Sequence, residues 1–241
     1  MHGSPSPSDV WAKLTHENND RSGSIIAWNT LWAHSADVAA VTEALLTRTL
    51  LGPRLARLAG WEQLSPVHIA RLSAFAALHD AGKVNHGFQN RAFGHRPEAD
   101  HVTPVLNLLE ADDVASWLEA MGVMEILHQG WMTDLDGLEQ MLLATWAHHG
   151  TPVQPASPNL RLWNPTDTRD PAQHLNQLAT YVRQWFPDAF EGTAPAFPDA
   201  PRFQHAYNGL LTLADWIGSD NERFFPFVTG RSDPMPTSRK R

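Results

Sequence analysis

The sequence predicts an all-α fold, a helical bundle interrupted by a Pro-rich insertion. Three observations lead there. Apolar residues recur at i, i+3, i+4 and i+7 in several stretches, the mark of helices that bury one face. Strand signals are weak, with no clear alternating run. A length of 241 residues with 42% apolar content suits one globular domain with a sizeable core, or at most one domain with a subdomain.

Residues 1–24 scatter Pro, Ser, Asn and Gly with little periodicity and read as a mobile segment. From Ile25 the pattern turns helical. Val38-Ala39-Ala40-Val41, Leu45-Leu46 and Leu50-Leu51 form one apolar face, with Ser35 and Asp37 near its start and Gly52-Pro53 as its stop. A second helix spans about 66–80, where Val67, Ile69, Ala70, Leu72, Ala74, Phe75 and Leu78 crowd a broad face and Pro66 suits the first position. The segment 81–100 carries Gly82, Gly87, Gly94 and Pro97 and reads as loop and turn. Further helices are expected at about 101–110, 112–120, 136–148, 172–185 and 202–218. Half of the 18 prolines fall between Pro152 and Pro201, so 152–201 reads as a long surface excursion around one short helix, Ala172 to Trp185. The tail 230–241, ending Arg239-Lys240-Arg241, reads as disordered, which leaves 25–229 as the domain.

Composition narrows the chemistry. There is no cysteine, so disulfides and thiolate zinc sites are excluded and any metal site must be built from His, Asp or Glu. No apolar run approaches the ~18 residues of a membrane span. Met1-His2-Gly3-Ser4-Pro5-Ser6-Pro7-Ser8 lacks the pattern of a secretory leader. A soluble cytoplasmic protein is expected. The formal charge of −8 argues mildly against a nucleic-acid binder, although bound divalent ions would offset it locally.

Against this background the histidines and aspartates stand out. His79-Asp80 closes an apolar helix just before Gly82, and His148-His149-Gly150 closes another, Met141 to Ala147. Neighbours on a helix point about 100° apart, but at a frayed end they can converge on one ion. A carboxylate, with two oxygens, can bridge two metals. His34 precedes an amphipathic helix, and His101 is placed like a helix-start ligand, with His86 and His95 as competitors in looser sequence. Asp215 lies inside the apolar stretch Leu213-Ala214-Asp215-Trp216-Ile217, where a carboxylate is costly unless paired or metal-bound. Lys83 completes His79-Asp80-Ala81-Gly82-Lys83 and could neutralise a phosphate; the chain has only two other lysines, Lys13 and Lys240. Each residue alone has an ordinary structural explanation. Together they can furnish a two-metal hydrolytic centre.

The order His, His-Asp, His, His-His, Asp resembles the HD phosphohydrolase superfamily, which is all-helical. Four strings narrow the resemblance: Trp32-Ala33-His34-Ser35-Ala36-Asp37-Val38; His79-Asp80-Ala81-Gly82-Lys83 with Phe88-Gln89; Trp146-Ala147-His148-His149-Gly150; and Leu213-Ala214-Asp215-Trp216-Ile217-Gly218-Ser219-Asp220 with Phe225-Pro226. Over residues 25–227 these look like the HD nuclease domain of type I CRISPR interference. The resemblance implies an HD-domain helical bundle and metal-dependent hydrolysis of phosphodiester bonds in single-stranded DNA. It implies one ion held by His34, His79, Asp80 and Asp215, and a second by Asp80, His101, His148 and His149, with Asp80 bridging. It gives Asp80 and Lys83 the catalytic roles, Lys83 on the scissile phosphate. The expected cofactors are two divalent transition metal ions, with manganese, iron, cobalt or nickel favoured over magnesium by the His-rich shell. The implied partners are a superfamily 2 helicase and a CRISPR surveillance complex. The P-loop pattern G-x-x-x-x-G-K-[ST] does not occur, so the chain reads as the nuclease part only. Two rivals remain: an HD phosphohydrolase acting on nucleotides or cyclic nucleotides, and a non-catalytic docking module.

Overall fold

Ser65-Pro66 shows how this chain starts a helix. Proline at the first position loses no hydrogen bond, and Ser65 Oγ accepts from His68 N at 3.2 Å while His68 Nδ1 approaches Ser65 N at 3.3 Å. The computed structural model describes residues 4–20, 23–149 and 158–226. In chain order their elements are strands β1 (Trp11–His16) and β2 (Ile25–Thr30), then helices α1 (Leu31–Arg48), α2 (Leu51–Leu58), α3 (Pro66–Ala77), α4 (His86–Asn90), α5 (Val102–Asn107), α6 (Val114–Ala120), α7 (Val123–His128), α8 (Leu135–Trp146), α9 (Pro171–Trp185), α10 (Pro187–Glu191) and α11 (Pro201–Ser219). The expected helical fold is observed.

α1 is the central helix, packed on α3 and α11, and it is buried without a break from Ala33 to Thr42. α3 and its cap contribute Leu72, Ala74, Phe75, Ala76, Ala77 and Leu78 to the same core, each Leu or Phe side chain adding roughly 1.5–3 kcal/mol on burial. Gly218 sets the spacing of α11 against α1, because a Cβ there would lie 2.8 Å from Val38 Cγ2 and 3.2 Å from Val38 Cα. The neighbouring turns of these two helices carry Asp215 and His34, so this close approach brings the carboxylate to the ring. Among the described residues no helix is long and apolar enough to cross a membrane.

Several local expectations need correction. Trp11–His16, inside the segment read as mobile, is a strand with Trp11 and Ala12 buried, and Ile25–Thr30, read as the start of a helix, is its antiparallel partner. His34 lies in the first turn of α1, not before a helix. Gly52-Pro53 does not stop the chain's helical course. α1 has already ended at Arg48, and the pair sits in the first turn of α2, where a missing N–H costs nothing. Helices α2, α4, α7 and α10 were not expected, α4 lying in the segment read as loop and turn. The described part of the Pro-rich stretch, 158–201, is no surface excursion: Trp163, Trp185, Phe186 and Phe197 are in the core. Pro171, Pro187 and Pro201 each open a helix, so the prolines there punctuate packed elements. Pro152, Pro155, Gly150 and the tail 230–241 lie outside the described residues.

Candidate metal centre

α3 stops at Ala77, and Leu78 caps it before one 3-10 turn, Ala81–Val84. Freed from helical spacing, His79 and Asp80 turn to the same point, with His79 Nε2 3.2 Å from Asp80 Oδ2. His148 leaves α8 in the same way. His79 Nδ1 lies 2.8 Å from Ala76 O, and His148 Nδ1 lies 3.2 Å from Thr145 O. A carbonyl only accepts, so each Nδ1 carries the proton and each Nε2 presents its other face to the centre. The end of α8 is held against α11 by Thr212 Oγ1, which donates to His148 O at 2.6 Å, and by Asn208 Nδ2, which donates to Ala144 O at 2.7 Å.

Asp80 lies between two groups of rings. Its Oδ2 is 3.0 Å from His34 Nε2, and its Oδ1 is 3.1 Å from His101 Nε2 and 3.8 Å from His148 Nε2. Asp215 Oδ1 closes the first group, 3.2 Å from His34 Nε2 and 3.7 Å from His79 Nε2, and accepts from Ser219 Oγ at 2.9 Å. His149 Nε2 closes the second, 3.1 Å from His101 Nε2. His34, His79, Asp80 and His148 are buried, His101 is half-buried and His149 is exposed, so the centre opens on the His101–His149 side. All seven residues expected as metal ligands are therefore brought together.

His101 reaches the centre because Gly82 has no side chain. A Cβ at Gly82 would lie 1.9 Å from His101 O. Asn85 ties the same two segments, donating to Gly82 O at 2.7 Å and Asp100 O at 3.0 Å. The competitors lie elsewhere: His86 Nε2 contacts Asn164 O at 2.6 Å, and His95 stands beside Phe93.

The donor set fits divalent transition ions. Both oxygens of Asp80 and the Nε2 atoms of His34, His79 and His148 are buried without a hydrogen bond, their close approaches lacking hydrogen-bond alignment. Buried polar atoms left this way are costly unless something else satisfies them. Among the described residues, ligand atoms within 4.8 Å of one another occur in three sets: His34, His79 and Asp80; His79, His148 and Asp215; and His101, His148 and His149. Imidazole nitrogen and carboxylate oxygen without thiolate suit manganese, iron, cobalt, nickel or zinc.

Charge is balanced around the carboxylates. Burial alone would raise the Asp80 carboxyl, but His79, Lys83 and His101 overcome it and hold Asp80 well below the usual carboxylate range. Burial opposes protonation of His79 too, yet the Asp80 and Asp215 carboxylates raise it to about 9. Burial and the nearby His79 push His148 down to about 2. His34 is lowered by burial and by Lys13, against the pull of Asp215 and Asp80. Lys83 is buried, its Nζ 2.6 Å from Asp80 Oδ2 and donating to Ala12 O at 3.1 Å; burial lowers it to about 8 despite Asp80. Sequence reasoning missed Lys13, whose Nζ is 3.5 Å from Asp215 Oδ1. The scarcity of lysines was the one available signal.

A mostly helical domain that gathers an HD and an HH dipeptide around one shared aspartate is an HD-domain protein. The chain belongs to the family of the HD domain of Cas3, whose profile matches residues 11–224. The family implies a metal-dependent, CRISPR-associated hydrolase. Solved structures show the same fold. The Thermus thermophilus cas3 HD domain in the presence of Ni2+ is 22% identical, with TM-score 0.53 over 82% of this chain and 75% of that one. T. fusca Cas3 with AMPPNP is 20% identical, with TM-score 0.57 over 95% of this chain and 24% of that one. A chain of a CRISPR RNA-guided surveillance complex in a pre-nicking state is 20% identical, with TM-score 0.53 over 95% of this chain and 27% of that one. The chain spans about a quarter of the length of the larger proteins it matches. No protein of curated function matches it.

Proposed function

We propose that this chain is a metal-dependent nuclease of CRISPR interference, cutting single-stranded DNA that a superfamily 2 helicase delivers at a surveillance complex. The observation that carries the reading is Asp80, whose two oxygens face opposite sets of imidazoles. His34, His79, Asp80 and Asp215 would hold one divalent ion, and Asp80, His101, His148 and His149 the other. When bound, such a pair supplies electrophilic stabilisation of a phosphate and a nucleophile at neutral pH. The chain's own residues prepare the place. The carbonyls of Ala76 and Thr145 fix the tautomers of His79 and His148. His79 and Lys83 keep Asp80 ionised, so that both of its oxygens accept. With its Nζ 2.6 Å from Asp80 Oδ2, Lys83 is read here as the partner of the carboxylate, where a phosphate contact had been expected of it. The buried floor excludes water, and the half-open His101–His149 side admits a strand. A recessed site and a formal charge of −8 favour a flexible, delivered substrate over a stiff duplex.

The test incubates the manganese-loaded protein with a single-stranded circle and a plasmid, with and without ATP and a cognate helicase. The circle should be cut and the plasmid spared until helicase and ATP are present. Hydrolysis confined to mononucleotides or cyclic nucleotides, or ATP-independent loss of blunt duplex, would overturn the proposal.

A further inference from the structure

The β1–β2 hairpin supplies none of the proposed ligands, yet it reaches the centre through two consecutive residues. The strand register shifts between Trp11 and Lys13. Such a bulge re-aims side chains. Here Ala12 O takes the Lys83 ammonium at 3.1 Å, and the next side chain, Lys13, places its own ammonium 3.5 Å from Asp215 Oδ1. The strand is fastened in that position. Gln89 pairs with both backbone groups of Trp11, its Oε1 accepting from Trp11 N at 3.1 Å and its Nε2 donating to Trp11 O at 2.9 Å. Phe88 stacks on the Trp11 ring with centroids 4.4 Å apart. At the other end Asn221 Nδ2 donates to Thr15 Oγ1 at 3.2 Å. The Phe88-Gln89 pair therefore clamps the hairpin against the metal centre.

The two lysines at the centre differ in their freedom. Lys83 is 4% exposed and in close contact with Asp80, whereas the Lys13 side chain is 27% exposed and its ion pair is long. Its acceptor, Asp215 Oδ1, is already approached by His34, His79 and Ser219. A loosely held, partly solvated ammonium beside a metal centre is well placed to change partner. Its compact charge and flexible stem suit a phosphate that arrives in varied orientations.

We propose that Lys13 is the substrate-binding cation of this centre: it leaves Asp215 for a phosphate oxygen of the incoming strand while Lys83 stays on Asp80. The inference rests on the phosphodiesterase reading given above. The test compares wild type with Lys13→Met, which keeps most of the apolar stem, and with Lys13→Arg. Three quantities are read: manganese stoichiometry by calorimetry, affinity of the manganese-loaded protein for a single-stranded phosphorothioate oligonucleotide across a salt series, and KM and kcat on single-stranded DNA. Lys13→Met should leave stoichiometry and thermal unfolding unchanged and weaken both oligonucleotide affinity and KM about ten-fold. It should flatten the slope of log affinity against log salt by about 0.7, the value for one phosphate contact on a single strand, with a smaller change in kcat. Lys13→Arg should restore most of the loss. Wild-type affinity and salt slope in Lys13→Met would overturn the proposal, and so would reduced manganese stoichiometry, which would make Lys13 part of the metal scaffold. A wild-type protein that binds the oligonucleotide through Lys13 but cuts no DNA would overturn the nuclease reading and leave the assignment of Lys13 standing.

Discussion

Gly82→Ala should dismantle one half of the metal centre while leaving the other. The added Cβ would sit 1.9 Å from His101 O and 2.9 Å from the carbonyl carbon. A carbon and an oxygen rest at about 3.3 Å or more, so a shift of more than about 1 Å is required. The obstacle is backbone, and Asn85 ties Gly82 O to Asp100 O, so no side chain can rotate away to absorb the clash. The movement passes to His101, whose Nε2 stands 3.1 Å from Asp80 Oδ1 and 3.1 Å from His149 Nε2. Overpacking of this kind costs about 1–3 kcal/mol, and a 1 Å misplacement at a reacting centre costs roughly a hundredfold in rate. Denaturant unfolding should show the loss of stability. Manganese titration should show weakening at the His101–His148–His149 position and retention at the His34–His79–Asp215 position. DNA cleavage should fall with the weakened position. Gly209→Ala is the control: nothing lies within 4 Å of its Cβ, and relief of a helical glycine should stabilise the protein by about 0.5–1 kcal/mol. Wild-type stability and stoichiometry in Gly82→Ala would refute the claim that this glycine positions His101.

Three further outcomes are expected. Asp80→Ala should lower manganese occupancy at both positions and reduce cleavage by more than about a hundredfold, and unchanged stoichiometry measured by calorimetry would rule out the bridge. After chelation, manganese, cobalt or nickel should restore more activity than magnesium at equal concentration, because five imidazoles face the centre and magnesium prefers oxygen; best rescue by magnesium or calcium would mean that the imidazoles are not the catalytic ligands. His101→Ala should impair cleavage far more than His95→Ala or His86→Ala, since only His101 faces Asp80; a larger loss in His95→Ala would reverse that assignment.

Helices that bury one face left a plain period in the sequence, and α3, α8, α9 and α11 fall close to where that period places them. The hairpin left none. β1 carries a bulge at Ala12, so its buried residues, Trp11 and Ala12, are neighbours and not alternate positions. β2 carries apolar residues at four consecutive positions, Ile25 to Trp28, and a second register shift passes over Ile26, so no alternation shows. Prolines misled in the opposite sense. Their density between Pro152 and Pro201 resembles loop composition, but Pro171, Pro187 and Pro201 occupy helix starts that their missing N–H permits.

The proposed ligands were more legible than the elements around them, and helix geometry explains why. His79 and His148 each follow the last turn of an apolar helix, and each gives its Nδ1 proton to the carbonyl three residues back. The final carbonyls of a helix have no partner within the helix. A histidine placed just past the end can therefore satisfy one of them and in doing so fix its own tautomer, with Nε2 turned toward whatever the next residue faces. Both dipeptides use this device, His79-Asp80 after α3 and His148-His149 after α8. A dipeptide at an apolar helix end thus carries structural information that the same residues in mid-helix would lack. Lys13 had no such local device. Its place depends on a bulge one residue earlier and on a glutamine 76 positions later in the chain, Gln89, which holds the strand by its backbone. Neither leaves a periodic trace, so the place of Lys13, the more solvated of the two lysines at the centre among the described residues, was legible only in three dimensions.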